Sequence, residues 1–362
     1  MLKKFFPFIL TAAAVMAGCA ADEQPATVDQ PNESINEQEN QAMEAVMENL
    51  EVPWSIEKLG DTFYLTERAG HIVKIEDEKM ERQKIDLQKT LSTAAEAGLL
   101  GFVLAPDFPE SNQAYAYYTY EDDDGQFNRI VTLRLEDGTW TEGELLLDRI
   151  PSGAYHHGGR LKIGPDEKLY ATTGDATVRD SAQDMNSLGG KILRMNLDGS
   201  IPDDNPDSDS YVYSYGHRNP QGLAWSSDEE LFASEHGNNA NDEINRIEAG
   251  QNYGWPLIEG TQEQGGMIAP LFTSGAETTW APSGMDYDNG KLYVAALRGT
   301  AVLAFDPASG EQKEIVTGLG RIRDVLVDGD YLYFITNNTD GRGNPEENGD
   351  KLYRLRLSES NE

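Results

Sequence analysis

Residue types able to do chemistry gather in a few short runs of this chain. Tyr155-His156-His157-Gly158-Gly159-Arg160 and Gly174-Asp175 offer an imidazole and a carboxylate. His156 suits a general base near neutral pH, and Asp175 would orient its ring if the two runs end neighbouring strands. His157 reads as structural. Arginines fall in Gly216-His217-Arg218-Asn219-Pro220-Gln221, in Leu297-Arg298-Gly299 and in Arg321-Ile322-Arg323-Asp324. Guanidinium groups massed at one place point to an anionic ligand. The alternative is that each pairs with Asp or Glu of a neighbouring unit. The run Gly237-Asn238-Asn239-Ala240-Asn241-Asp242-Glu243 is dense in oxygen donors, which suits Ca²⁺. Zinc is not indicated, because His and Cys pairs at ligand spacing are absent. There is no Gly-x-Gly-x-x-Gly leading from strand to helix and no Gly-x-Ser-x-Gly elbow, which argues against a nicotinamide site and a serine hydrolase.

These runs can meet only if the fold brings distant segments together, and the chain carries a repeat that would. Six units each pair a short inner strand with a Tyr-rich second strand of the type Leu169-Tyr170-Ala171-Thr172 or Leu332-Tyr333-Phe334-Ile335. The expected inner strands are 52–57, 100–104, 159–163, 222–225, 284–287 and 323–327. Third strands alternate cleanly, as in Ile130-Val131-Thr132-Leu133-Arg134-Leu135. Fourth strands are weaker, at 84–87, 144–147, 211–215, 269–272 and 313–316. The sixth unit runs out of chain, so residues 42–47 are expected to supply its fourth strand and close the ring. The expectation is an all-β, six-bladed β-propeller of four-stranded antiparallel blades. In that architecture, residues just before each inner strand and just after each second strand share one channel mouth. The histidines, the arginines and the acidic turn all lie at such places.

The net charge of −34 argues against nucleic acid and anionic membranes as partners. The N-terminus reads as a leader over 1–18: Lys3 and Lys4 precede an apolar run too short to span a bilayer. It ends in Val15-Met16-Ala17-Gly18-Cys19, which resembles a bacterial lipobox and makes Cys19 a lipidation site. Cys19 is the one cysteine, so no internal disulfide can form. Residues 19–41 read as a flexible acidic tether, and 42–358 as the catalytic propeller. The expected place is outside the cytoplasm, lipid-anchored to the cell membrane.

With these residues in view, the chain resembles the soluble PQQ-dependent glucose/aldose sugar dehydrogenases over roughly 45–357. Gly98-Leu99-Leu100-Gly101-Phe102, the His156 to Asp175 segment, Gly216-His217-Arg218-Asn219-Pro220-Gln221-Gly222, Asp242-Glu243-Ile244-Asn245, Asn252-Tyr253-Gly254-Trp255-Pro256 and Arg321-Ile322-Arg323-Asp324 carry the resemblance. It implies a PQQ- and Ca²⁺-dependent enzyme that oxidises the C1 hydroxyl of aldoses to lactones by hydride transfer to the quinone, and then reduces an external electron acceptor. It puts the base on His156, oriented by Asp175, with Arg218 beside the quinone and Asn219 also at the cofactor. Arg321 and Arg323 would bind PQQ carboxylates. The carbonyls of Gly237 and Asn238 would hold the bridging Ca²⁺, and Asp242 and Glu243 a further one. Two positions depart from the family. Arg298 stands where glucose-specific relatives have Lys, and Glu96 where they have a cofactor-binding Gln. A Ca²⁺-dependent lactonase and a non-catalytic glycan-binding propeller are the alternatives.

Overall fold

The computed structural model describes residues 43–357. The leader, Cys19 and the acidic tether lie outside the described residues. The described chain is almost entirely β. It forms four sheets of four strands and one of eight. The eight-stranded sheet consists of two four-stranded antiparallel meanders, 53–86 and 99–151, joined where Lys84–Asp86 runs parallel to Thr139–Thr141. The other meanders span 161–215, 220–273, 282–317 and 322–356.

The last meander takes its outermost strand from the front of the chain. Met43–Leu50 pairs antiparallel with Asp350–Arg356, with Met43 opposite Leu355 and Leu50 opposite Asp350. Closure removes an open edge and ties the two ends of the described chain to one another. Leu50 is fully buried in a cluster with Ile56, Leu65, Ile335 and Leu352, which joins the closing strand to the first meander. Leu50→Ala is expected to cost about 3 kcal/mol, measured by denaturant unfolding.

The innermost strands contact one another around an axis. Ser55 Oγ donates to Leu100 O at 3.4 Å, and Ile56 N donates to Asp324 Oδ2 at 2.9 Å. Val327 N donates to Asp286 Oδ2 at 2.8 Å, and Arg160 Nε donates to Gln221 O at 2.9 Å. A side chain at Gly101 would collide with the Gly159 carbonyl, and one at Gly284 with Asp324. Backbones approach that closely only where no Cβ intervenes. This is the architecture of a β-propeller.

Two expected elements are shorter in the structure by two residues each. The third inner strand begins at Leu161 instead of Gly159, because Gly158 and Gly159 take φ of 63° and 97°, outside extended geometry. The fourth strand expected at 269–272 shrinks to Phe272–Thr273. The chain before it is spent on a loop carrying Asn252, Tyr253 and Trp255, which packs against the site.

Candidate active site

The antiparallel ladder between Leu161–Ile163 and Leu169–Thr173 sets the position of His156 and Asp175. It continues through Gly159 N to Thr172 O at 2.8 Å and Ala176 N to His156 O at 3.3 Å. His156 has φ of 65°, an uncommon value for a side-chain-bearing residue and one that recurs at functional sites. Its Nδ1 lies 2.6 Å from Asp175 Oδ1. The Asp175 carboxylate is fully buried and also accepts from Thr177 N and the Trp255 indole, both at 2.8 Å. Burial alone would raise its pKa, but His156 and these two N–H donors hold it below the usual carboxylate range. An ionised Asp175 accepts a hydrogen bond from the His156 Nδ1–H, so the His156 Nε2 lone pair is the one left free. The side chain, 17% exposed, borders an open cleft of about 260 Å³ together with Tyr155, Arg218, Asn219 and Asn238.

A deeper cavity of about 110 Å³ adjoins this cleft and shares Glu96, His236, Ala281, Arg298 and Arg342 with it. Arg321 and Arg323 line the cavity, as do Arg68 and Gln221. Arg323 is buried and donates to Gln221 Oε1 at 2.9 Å and Asn337 Oδ1 at 3.3 Å, neither of them charged. Burial and the neighbouring Arg321 pull its guanidinium down to about 9. Arg321 pairs with Asp340 at 2.9 Å. Arg218 lies over the Trp255 ring at 5.4 Å, and burial pushes its guanidinium below the ordinary arginine value. Among the described residues, Nε of Arg218, Arg321 and Arg323, and Nε2 of His157 and His236, are buried without a hydrogen-bond partner. Buried donors are rarely left unpaired. The three unpaired guanidinium N–H groups, those of Arg321 and Arg323 in the cavity and of Arg218 in the adjoining cleft, fit an anion carrying several acceptors.

The acidic turn divides in function. Asp242 Oδ1 accepts from Gly237 N at 2.8 Å, and its Oδ2 accepts from Thr279 Oγ1, Trp280 N and Ala281 N at 2.6–2.9 Å. Its oxygens are taken by four protein donors, and it braces the Gly237 turn against the loop 279–281. The carbonyls of His236 and Asn238 face the Arg218 guanidinium at 3.4 and 3.5 Å. Glu243 borders a small enclosed space with Glu235, Tyr253 and Glu259, where burial, then Glu235, pushes its carboxyl up to about 8. A carboxylate crowded by another is a place a cation would relieve. Among the described residues no three His, Cys, Asp or Glu side chains converge as a metal shell. A Ca²⁺ here would draw largely on carbonyls.

The structure brings His156, Asp175, Arg218, Asn219, Arg321, Arg323 and Arg298 to one mouth. Asn219 Oδ1 accepts from Gly158 N at 3.0 Å and so supports the loop that carries His156. Glu96 also reaches the site, paired with Arg342 at 2.6 Å and held ionised, down to about 2, by that guanidinium against the effect of its burial. His157 is buried, with Ser152 and Asn128 on its Nδ1 at 3.1 and 3.2 Å, as a structural histidine should be. Sequence reasoning missed Arg342, Arg68 and the indole of Trp255, and it placed His236 at the mouth without a role. Trp255 lay inside a noted motif. Arg342 sits in a glycine- and asparagine-rich loop that gives no signal of its partner 246 residues away.

Together these features define an all-β protein with a cationic cavity beside an imidazole–carboxylate pair. A profile of the Glucose / Sorbosone dehydrogenase family matches residues 50–354, and the chain belongs to that family. It is 32% identical to the aldose sugar dehydrogenase YliI of Escherichia coli K12, over 83% of this chain and 91% of that one. It is likewise 32% identical to quinoprotein glucose dehydrogenase B of Acinetobacter calcoaceticus, over 74% of this chain but only 63% of the relative. Among solved structures it is similar to the PQQ-bound aldose sugar dehydrogenase of Streptomyces coelicolor. That match has a TM-score of 0.82 and 35% identity, covering 87% of this chain and 97% of the other.

Proposed function

We propose that this chain is a PQQ- and Ca²⁺-dependent aldose dehydrogenase, built as a six-bladed β-propeller, that oxidises the C1 hydroxyl of sugars to lactones. One observation carries this reading: buried arginine donors without partners line a cavity beside a histidine whose free nitrogen is fixed by a buried carboxylate. PQQ has three carboxylates, and the arginines supply the counter-charge for them. The family membership and the PQQ-bound relative support the same cofactor.

In this reading Arg321 and Arg323 bind cofactor carboxylates, and Arg218 and Asn219 stand beside the quinone. When bound, PQQ takes up the two electrons and the hydrogen leaving the sugar carbon. His156 Nε2 accepts the proton of the C1 hydroxyl, and Asp175 steadies the imidazolium that results. The Arg218 charge, at the cleft beside His156, would stabilise negative charge on a reduced cofactor held there. Carbonyls of the Gly237–Asn238 turn would hold Ca²⁺, which would act as a Lewis acid, while Glu243 and its neighbouring carboxylate form a second cation position. An external acceptor would take up the electrons that the cofactor receives. The lipobox-like run before Cys19 and the acidic tether support a lipid-anchored, extracytoplasmic placement.

The test is spectroscopic. Adding PQQ and Ca²⁺ to the apo-protein should give a saturable change in the quinone spectrum, and an aldose should then bleach it. No change on adding PQQ and Ca²⁺ would leave a non-catalytic propeller as the better reading. Ca²⁺-dependent opening of a lactone without any PQQ effect would favour a lactonase.

A further inference from the structure

Arg342 and Arg298 are the two arginines that border the deep cavity, the open cleft and a third, solvent-open pocket of about 470 Å³. Arg342 is the one that joins two separate loops of the site. It comes from the loop between Tyr331–Thr336 and Asp350–Arg356, and its Nη1 donates at 2.6 Å to Oε1 of Glu96, in the loop before Leu99–Leu104. Both ends of the contact lead into the proposed machinery. Glu96 Oε2 accepts from the backbone N–H of His156 at 3.4 Å. The Arg342 N–H donates to Asp340 Oδ1 at 2.9 Å, and Asp340 Oδ2 in turn accepts from Arg321 at 2.9 Å. A polar chain therefore runs from the candidate base through Glu96, Arg342 and Asp340 to a candidate cofactor arginine. Arg342 also lies over the ring of Tyr155, 5.8 Å from its centroid.

Glu96 is the anomaly in this place. It is a carboxylate lining a cavity otherwise provided with arginines. Left unpaired, it would repel any anion bound there.

We propose that Arg342 is a positioning residue for the anionic cofactor: it cancels the charge of Glu96 within the arginine-lined cavity and holds the loops of Glu96 and Arg342 together at the mouth. This rests on the PQQ reading above. It adds a residue that the chemistry does not otherwise require, and it makes a sign-specific prediction. Removing Arg342 exposes Glu96 to the bound anion, whereas removing the Glu96 charge frees Arg342 to face it.

The experiment is a double-mutant cycle on PQQ affinity, read by quenching of intrinsic fluorescence in the full-length apo-protein with Ca²⁺ present. Arg342→Ala is expected to weaken binding by about 30-fold or more. Glu96→Gln keeps an acceptor for the His156 N–H and is expected to tighten binding by about 3-fold, more at low salt. Glu96→Gln combined with Arg342→Ala should return affinity to within about 5-fold of wild type, a strong departure from additivity. A partly exposed ion pair with a purely structural role would shift the melting temperature slightly and leave this pattern absent. If Arg342→Ala folds poorly, Arg342→Gln removes the same charge and must show the same loss. Wild-type affinity in Arg342→Ala, or a double variant as weak as the single, overturns the proposal alone. Failure of the wild-type protein to bind PQQ overturns the cofactor reading and this proposal with it.

Discussion

His156→Ala is expected to lower aldose oxidation by about 10²- to 10⁴-fold while PQQ binds the apo-protein as before. The basis for so large a loss is the free Nε2 that the 2.6 Å contact with Asp175 leaves pointing at the cleft. No other described side chain at the cleft combines a free ring nitrogen with a tautomer fixed by a buried carboxylate. The His236 imidazole also borders the cleft, but burial pulls it down to about 4 and no described carboxylate is hydrogen-bonded to its ring to fix a tautomer. His156 occupies left-handed backbone at φ 65°, which alanine tolerates poorly. His156→Asn is therefore the matched variant, since asparagine enters that region at lower cost. Both should lose turnover together. Asp175→Asn should fall in the same direction, because an amide at that place no longer demands the Nδ1 proton and the tautomer is released. Full turnover in either His156 variant would remove the proposed base.

The fold was legible because its units repeat. Period-two alternation with Tyr-rich second strands located the inner, second and third strands to within a few residues. Such strands are packed on both flanks, so their apolar patterns are strong. Outer strands face solvent, and their patterns are weak. Residues 84–87 stood for what is a longer strand, Lys79–Asp86, and the parallel contact of Lys84–Asp86 with Thr139–Thr141 had no sign in the sequence. Ring closure was foreseen from a deficit: the last unit lacked a strand, and the front of the chain had an unassigned one, observed as Met43–Leu50. In the site, the His156–Asp175 contact followed from strand direction alone. The roles of Arg321, Arg323, Gly237 and Asn238 came from the family resemblance, since spacing cannot show which arginine lacks a partner. Asp242 shows the limit in the other direction. The sequence places this carboxylate in an acidic turn but does not show the four backbone and side-chain donors that its oxygens accept from. Glu96 looked unfavourable for the same reason, because Arg342 lies in a distant loop.

Arg323→Met should abolish useful cofactor affinity, by about 10²-fold or more, and at the same time make the apo-protein more stable. The two effects share one cause. Arg323 is buried among neutral acceptors with another arginine beside it, so its charge is costly until an anion arrives. Methionine fills a similar length without a charge to bury. The gain is a net one, because Gln221 Oε1 and Asn337 Oδ1 each lose a donor. It should come to about 1 kcal/mol, or a rise of about 2–4 °C in melting temperature. The pH dependence has a definite sign. The folded state lowers this group's pKa from the ordinary arginine value to about 9, so between those values the unfolded chain holds the proton more tightly. The destabilisation is complete below about pH 9 and fades as pH rises above it. The advantage of Arg323→Met should therefore be full at neutral pH and shrink in alkali. In the presence of PQQ and Ca²⁺ the order should reverse, with wild type gaining stability through ligand linkage and the variant gaining little. An apo-variant less stable than wild type, or one that still binds PQQ tightly, would show that Arg323 is a structural ion partner and not the floor of an anion site.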